Sequence, residues 1–202
     1  MTEVQAGNVV LIVGTSSAGK SSVIAELQDL LSDHYLALGI DSFFQMVAPR
    51  WGGGMGGPLS TDGFRYVTAD DDQGPCVRIA YGAVGERILR GMHRAVAALA
   101  ACGNHVLVDE MLLDRAVLGD WVVALHDLPV CVVRLRAALC VLEQREHGRR
   151  NPPGLARGHL ADNLIDGYDL DLDTSAQSPR ELAQTIITYL EADAAWTELA
   201  RR

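Results

Sequence analysis

The sequence predicts an α/β fold in which a mostly parallel sheet is covered by helices on both faces. Three observations carry that reading. Continuous apolar runs recur at Val9–Val13, Tyr35–Ile40, His105–Val108 and Val130–Leu135, with a weaker one at Leu170–Leu172, and short runs without polar alternation suit strands buried on both faces. Segments with helical spacing lie between them, so crossovers join the strands. The first run ends at Gly14 and passes directly into a helical pattern.

Each element follows from a local signal. Ser21–Leu31 reads as the first helix. Val84–Ala101 is the longest, because Ile88, Leu89, Met92, Val96 and Leu99 recur three and four residues apart and Gly103 follows as a C-cap. Ala116–His126, Ala137–His147 and Arg180–Leu199 complete the helices. Phe64–Thr68 and Cys76–Tyr81 alternate like strands on either side of the turn-rich stretch 70–74 and predict a small hairpin. Two stretches break the alternation. Ala48–Ser60 holds five glycines and two prolines around Trp51 and Met55 and reads as a loop. Gly148–Gly158 carries Arg149, Arg150 and Arg157 among prolines and glycines and reads as a lid.

The 202 residues, 49% of them apolar, fill one substantial core, so a single domain over 1–202 is expected. A net charge of −9 without any Lys/Arg cluster offers no footprint for a phosphate backbone, and nucleic acid is not expected as a partner. No apolar run approaches the roughly 20 residues that span a bilayer, and residues 1–8 carry no basic cluster, which leads to the expectation of a cytoplasmic protein without membrane contact. Cys76, Cys102, Cys131 and Cys140 show no metal-like spacing and are expected to be reduced structural thiols.

The chemistry begins at Gly14, Gly19, Lys20 and Ser21, which fit G-x-x-x-x-G-K-[ST] between a strand and a helix. Glycines let successive backbone N–H groups point at phosphates, and the helix N-terminus adds positive potential. Lys20 suits the β- and γ-phosphates of a nucleoside triphosphate, and the Ser21 hydroxyl suits Mg2+. Gly14, Ser16, Ser17, Ala18, Gly19, Lys20, Ser21 and Ser22 are therefore the expected nucleotide contacts. The strand ending in Asp109-Glu110 resembles a Walker-B arrangement, so Asp109 is either a second magnesium ligand or an acid at a turn. No guanine-reading Asn-Lys-x-Asp motif is present, which favours ATP over GTP.

A triphosphate site leaves the acceptor open. Asp41 lies at the C-terminal edge of the second strand, where ligands of open α/β sheets gather, and serves equally as a general base for a hydroxyl or as a helix N-cap. Phe43, Phe44, Met46, Trp51, Met55 and Phe64 either line an acceptor pocket or pack beneath a loop. Arg145, Arg149, Arg150 and Arg157 either stabilise transferring charge or form a solvated basic surface. A small-molecule O-kinase leads. An ATPase switch, with Glu110 orienting water, and a nucleoside or nucleotide kinase are the alternatives. From Ile40 to Asp62 the only cation is Arg50, which points to a largely uncharged acceptor.

Taken together, the Gly14–Ser22 loop, Gly39-Ile40-Asp41-Ser42, Gly91–Ala100, Val108-Asp109-Glu110 and Tyr168–Thr174 resemble the chloramphenicol phosphotransferase family of P-loop small-molecule kinases. The resemblance covers nearly the whole chain. It implies a P-loop NTPase three-layer sandwich with a central five-stranded parallel sheet, as in nucleotide kinases, and ATP-dependent phosphorylation of a hydroxyl with Mg2+. Asp41 then matches the general base, Arg149 a phosphate-contacting catalytic arginine beside Lys20, and Arg145 a further nucleotide contact. Adenine would lie near the segment after Thr174. Met92 and Glu110 join Asp41, Phe43, Phe44, Met46, Trp51 and Phe64 as expected acceptor contacts, with an acceptor-side insert at about 43–81 and the lid at about 148–158. In the lid, Arg149-Arg150-Asn151-Pro152-Pro153 departs from the family's spaced arginines. Chloramphenicol, a related antibiotic or a metabolite are the options for the acceptor, antibiotic resistance is one expected role, and association into homo-oligomers is left open.

Overall fold

Strand β1 (Val9–Val13) is buried along its whole length, and the reason lies in its two neighbours. In the computed structural model, which describes residues 5–52, 56–71, 74–148, 152–160, 165, 167–192, 196 and 199, β1 pairs in parallel with β5 (His105–Glu110) on one side and β6 (Val130–Arg136) on the other. Strands β2 (Tyr35–Gly39) and β7 (Leu170–Asp173) close the two edges, giving a five-stranded parallel sheet in the order β2-β5-β1-β6-β7. The chain steps from β1 past β5's position to β2, and later crosses over β1 between β5 and β6. The crevice at the C-terminal end of β1 is thus the switch point where α/β folds bind ligands.

Helices cover both faces. Val9, Leu11 and Val13 join Val106, Val108, Val130 and Val132 beneath α3 (Ala83–Ala101) and α4 (Arg115–Ala124), which contribute Leu89, Met92, Val96 and Trp121. Val10 and Ile12 join Leu107, Cys131 and Val133 against α1 (Lys20–Leu30), α5 (Leu139–Glu146) and α7 (Pro179–Leu190), through Val23, Leu27, Leu142, Leu182 and Ile186. Trp121 is fully buried, and truncating such a side chain to Ala costs about 3–5 kcal/mol. The helix ends follow local chemistry. Asp114 caps α4 through the N–H groups of Ala116 and Val117, Ser178 and Glu181 form a capping box on α7, and Gly103 follows α3 with a φ of +87°, as its place in the sequence leads one to expect.

Between β2 and α3 lies an insert. Helix α2 (Ile40–Met46) and a 3-10 turn at Pro49–Trp51 lead into the antiparallel hairpin of β3 (Phe64–Asp71) and β4 (Gly74–Tyr81), a separate two-stranded sheet. After α5, the short helix α6 (Leu155–Gly158) packs on β4.

Three expectations change. Strand β2 stops at Gly39, and Ile40 and Asp41 open α2 instead. Gly39 still pairs with Asp109 across the two strands, so closely that a Cβ there would lie 2.2 Å from the Asp109 carbonyl oxygen, and the helix begins at the next residue. Helix α7 ends at Leu190, well before Leu199, where the apolar series Leu182, Ile186, Leu190 stops. Finally, all four cysteines are free, but only Cys76 and Cys131 are buried, so the structural role expected of them falls to those two, and Cys102 and Cys140 are exposed.

Candidate active site

Gly14 cannot carry a side chain, since its Cβ would meet the Leu135 carbonyl oxygen at 2.4 Å, and Gly19 turns the chain into α1 with a φ of +94°. Between them Ser17 also adopts the left-handed region, at a φ of +63°. The loop folds inward as a result, leaving Thr15, Ser16, Ser17 and Lys20 almost wholly buried. Lys20 Nζ donates to the carbonyl oxygens of Gly14 (2.9 Å) and Thr15 (3.0 Å) and lies 3.4 Å from Asp109 Oδ1. The Ser17 hydroxyl is buried without a hydrogen-bond partner among the described residues, and an orphaned donor inside a ring of backbone N–H groups fits an anionic ligand.

Ser21 Oγ donates to Asp109 Oδ2 at 2.8 Å. Gly39 leaves room for Asp109 here, since a Cβ on it would lie 2.7 Å from the Asp109 Cβ. A hydroxyl and a carboxylate converging beside the phosphate loop are hard oxygen donors of the kind Mg2+ takes, and Mg2+ needs only one or two protein ligands when phosphates and water supply the rest. These two residues therefore fit the metal that the sequence implies.

On one flank of the loop, a cavity of about 400 Å³ is lined by Ser17, Gly19, Ser22, Arg145, Thr174 and Gln177, among others. Arg145 anchors it, donating to Thr174 Oγ1 and to the Thr174 carbonyl oxygen. On the other flank, a narrow cavity of about 50 Å³ separates Ser16–Ser21 and Asp109 from Ile40, Asp41, Phe44, Tyr66, Ile79, Met111 and Leu155. Met111 is shared with an adjoining cavity of about 210 Å³ between the ends of β1 and β6, lined also by Arg134, His159 and Tyr168. Asp41 and the phosphate loop thus line one small cavity, together with Phe44, Tyr66, Ile79 and Met111. Asp41 sits inside the first turn of α2 while Gly39 holds the N-cap position, so the capping role is not the one it fills.

The sequence profile of the chloramphenicol phosphotransferase-like protein family matches residues 7–191. The chain belongs to that family. The "Putative O-phosphotransferase" of two Mycobacterium tuberculosis strains is 26% identical over 196 residues, spanning 89% of this chain and 80% of the relative. Among solved structures, a Janibacter sugar kinase superposes with a TM-score of 0.62 at 19% identity, covering 94% of this chain and 97% of that one. The Mycobacterium tuberculosis APS kinase CysC, solved with AMPPNP and APS, gives 0.60 at 21% identity, covering 93% and 99%. At these identities the structural likeness establishes the fold, a P-loop kinase fold. With the family assignment, the chain is a small-molecule phosphotransferase.

Within this chloramphenicol phosphotransferase-like site, several expected acceptor contacts stand elsewhere. Phe44 lines the cavity beside Asp41, but Phe43, Met46 and Trp51 line a separate apolar groove with Val84 and Ile88 of α3. Neighbouring helical residues point about 100° apart, so α2 divides Phe43 from Phe44. Phe64 is buried under Phe44, with ring centroids 4.4 Å apart. Met92 is fully buried in the core beneath α3, which removes it from the acceptor wall. Glu110 is fully buried too, and its Oε2 accepts a 2.9 Å bond from the Trp121 indole N–H. Burial pushes the Glu110 carboxyl up to about 7 against the opposing effect of that bond. It faces the core rather than the acceptor. Met55, Arg149 and Arg150 lie outside the described residues.

The described part of the lid is tied down. Glu146, buried, accepts from the backbone N–H groups of Gly154 (2.6 Å) and Ala156 (2.8 Å), and Thr15 Oγ1 of the phosphate loop donates to the Ala156 carbonyl oxygen. Strand β4 docks on the same segment, with Val77 N–H donating to Gly154 and Ile79 N–H to His159 Nε2 at 3.0 Å. Arg157 does not point at the phosphates. It forks onto both carboxylate oxygens of Asp71 on the hairpin, at 2.7–3.2 Å, so its expected role in phosphoryl transfer gives way to a structural one. Tyr66, Ile79, Met111 and Leu155 escaped the sequence reading. The period-2 spacing of Phe64 and Tyr66 is the signal that would have placed both on one face of the strand.

Proposed function

We propose that this phosphotransferase moves the γ-phosphoryl group of ATP to a hydroxyl of an uncharged small molecule, with Asp41 as general base and Mg2+ as cofactor. The observation that supports the reading is that Asp41 and the phosphate loop line the same cavity. A carboxylate there is within reach of a hydroxyl that faces the γ-phosphate, which suits proton removal during in-line transfer. The acceptor oxygen forms its bond to phosphorus as its proton passes to Asp41, and the bond from phosphorus to the β-phosphate oxygen breaks, releasing ADP. Lys20 and the loop N–H groups would hold the phosphates, Ser21 and Asp109 would hold Mg2+, and that ion would neutralise charge developing on the phosphate oxygens. Adenine would occupy the cavity beside Arg145 and Thr174, with Arg149 in the lid as a further phosphate contact.

The acceptor side supports an alcohol such as chloramphenicol or a related metabolite, because its walls carry Asp41 but no cation beyond Lys20 of the phosphate loop among the described residues. Antibiotic resistance and a cytoplasmic location, where ATP is plentiful, accord with that acceptor, and a single kinase domain over 1–202 accords with one shared active-site crevice. The ATPase alternative loses its main support in the burial of Glu110 against Trp121. Incubation with ATP, Mg2+ and a panel of hydroxylated compounds should give a product heavier by one phosphoryl group. Replacing Asp41 by Asn should slow transfer by about 10²–10⁴-fold with nucleotide affinity unchanged. Transfer by that variant at wild-type rate would remove Asp41 from the mechanism.

A further inference from the structure

Glu146, the last residue of α5, is a buried carboxyl group that the transfer chemistry itself does not use. Its Oε1 accepts from the Ala156 N–H at 2.8 Å and its Oε2 from the Gly154 N–H at 2.6 Å. The residue between those two, Leu155, lines the cavity together with Asp41 and the phosphate loop. Glu146 therefore grips the backbone on both sides of a residue of the cavity wall.

Both gripped residues pass the contact on. The Gly154 carbonyl oxygen accepts from the Val77 N–H. Two residues along β4, Ile79 lines the same cavity, and its N–H is held by His159 just beyond α6. The Ala156 carbonyl oxygen accepts from Thr15 Oγ1 of the phosphate loop, in a buried bond. One side chain thus registers the hairpin and the phosphate loop against each other through three residues of the lid. Glutamine does not reproduce this, because an amide has one oxygen and its NH2 group would face the second N–H.

The phosphate-loop end of the chain is sensitive to a ligand. Lys20 Nζ donates to the carbonyl oxygens of Gly14 and Thr15, and the phosphates of a nucleotide compete for the same ammonium group with charge-assisted bonds. Filling the loop therefore changes the bonding of Thr15, the residue whose hydroxyl holds Ala156.

We propose that Glu146 is a positioning residue for phosphoryl transfer, carrying occupancy of the phosphate loop to the hairpin wall of the acceptor cavity through Thr15, Ala156 and Gly154. A nucleotide in the loop firms the wall, and by reciprocity a firm wall favours the nucleotide. The inference rests on the phosphotransfer reading above, which makes a nucleotide the ligand of the loop.

The test reads amide hydrogen exchange residue by residue in the whole chain, with and without saturating AMPPNP and Mg2+. In wild type the analogue should slow exchange at the Val77 and Ile79 amides, the two that dock on the lid, by about threefold or more. In Glu146→Gln and in Thr15→Val that slowing should be absent while the β1 amides stay protected, and Thr15→Ser, which keeps the hydroxyl, should retain it. The double variant should lose no more than either single one, as members of one route do. Affinity of Glu146→Gln for the analogue should fall by about the factor by which wild-type exchange slows. A merely structural Glu146 would speed exchange at both amides equally with and without the analogue and leave the slowing intact. Slowing that persists in either variant, or wild type that binds the analogue without slowing, overturns the role of Glu146 and leaves phosphotransfer standing. Should Glu146→Gln lose protection in β1 as well, Thr15→Val decides alone, and slowing retained there overturns the proposal. Wild type that fails to bind the analogue overturns the proposed function and this inference with it.

Discussion

Arg145 grips Thr174 twice, Nη1 donating to Oγ1 at 2.8 Å and Nη2 to the carbonyl oxygen at 2.7 Å. One planar fork thereby links α5 to the segment that follows β7 and shapes the wall of the nucleotide-side cavity. Lysine carries the charge but not the fork. Arg145→Lys should weaken binding of a fluorescent ATP analogue by about tenfold, while circular dichroism stays that of the wild type. Equal affinity in the two proteins would show that the fork does not shape the nucleotide site.

Glu110 directly follows Asp109, yet the two differ in environment. Asp109 meets Ser21 and Lys20, whereas Glu110 is sealed against Trp121. Glutamine keeps the acceptor atom for the indole and removes the charge. Glu110→Gln should therefore keep phosphoryl transfer within about threefold of wild type. A loss of a hundredfold or more in single-turnover assays would return Glu110 to the reacting centre.

Gly158 is where the lid and hairpin touch most closely, because a Cβ there would lie 1.9 Å from the Val77 carbonyl oxygen, which is backbone. Gly158→Ala must push β4 away from α6. Hydrogen exchange should speed up across residues 64–81 while the amides of β1 stay protected. The acceptor KM should rise and the affinity for ATP should not. Uniform protection across the hairpin would contradict the close contact.

His93 gives a pH dependence with a defined sign. It is buried, its Nδ1 lies 2.5 Å from Asp120 Oδ2, Arg94 holds the same carboxylate, and Trp121 packs on the ring. Burial lowers the imidazole below its ordinary value of 6.5, and Asp120 opposes that shift only in part. The unfolded chain therefore takes up its proton first as the pH falls. Stability from this residue is complete above 6.5 and is lost progressively below it, down to the native value. Melting temperatures between pH 8 and pH 5 should fall less steeply for His93→Gln than for wild type, and parallel curves would refute the assignment.

Much of the fold was legible because a parallel sheet buried on both faces writes itself as unbroken apolar runs. Val9–Val13 and Val130–Leu135 needed no further context. The phosphate loop was legible for a similar reason, since its backbone path demands glycine at Gly14 and Gly19. Asp41 lies at the sheet edge that its sequence position indicates, but the start of α2 was hidden, because Ile40 continues the apolar run of β2 without a break. The acceptor wall was least legible. Phe43 and Phe44 look alike in a sequence and point to different cavities, and Tyr66 enters the site only because β3 pairs with β4 and β4 docks on the lid.

Among the described residues, the hairpin shares no strand pairing with the sheet that carries the phosphate loop. Donor and acceptor machinery thus occupy independently hydrogen-bonded units, joined through α2, α3 and a handful of contacts to the lid. The insert is keyed to the rest of the chain at nameable points: Phe64 enters the core beside Leu89, Tyr81 donates to Asp114 at the start of α4, and β4 docks on Gly154 and His159. Re-aiming such an enzyme at another alcohol through residues 43–81 therefore means holding those anchors and varying what lies between them.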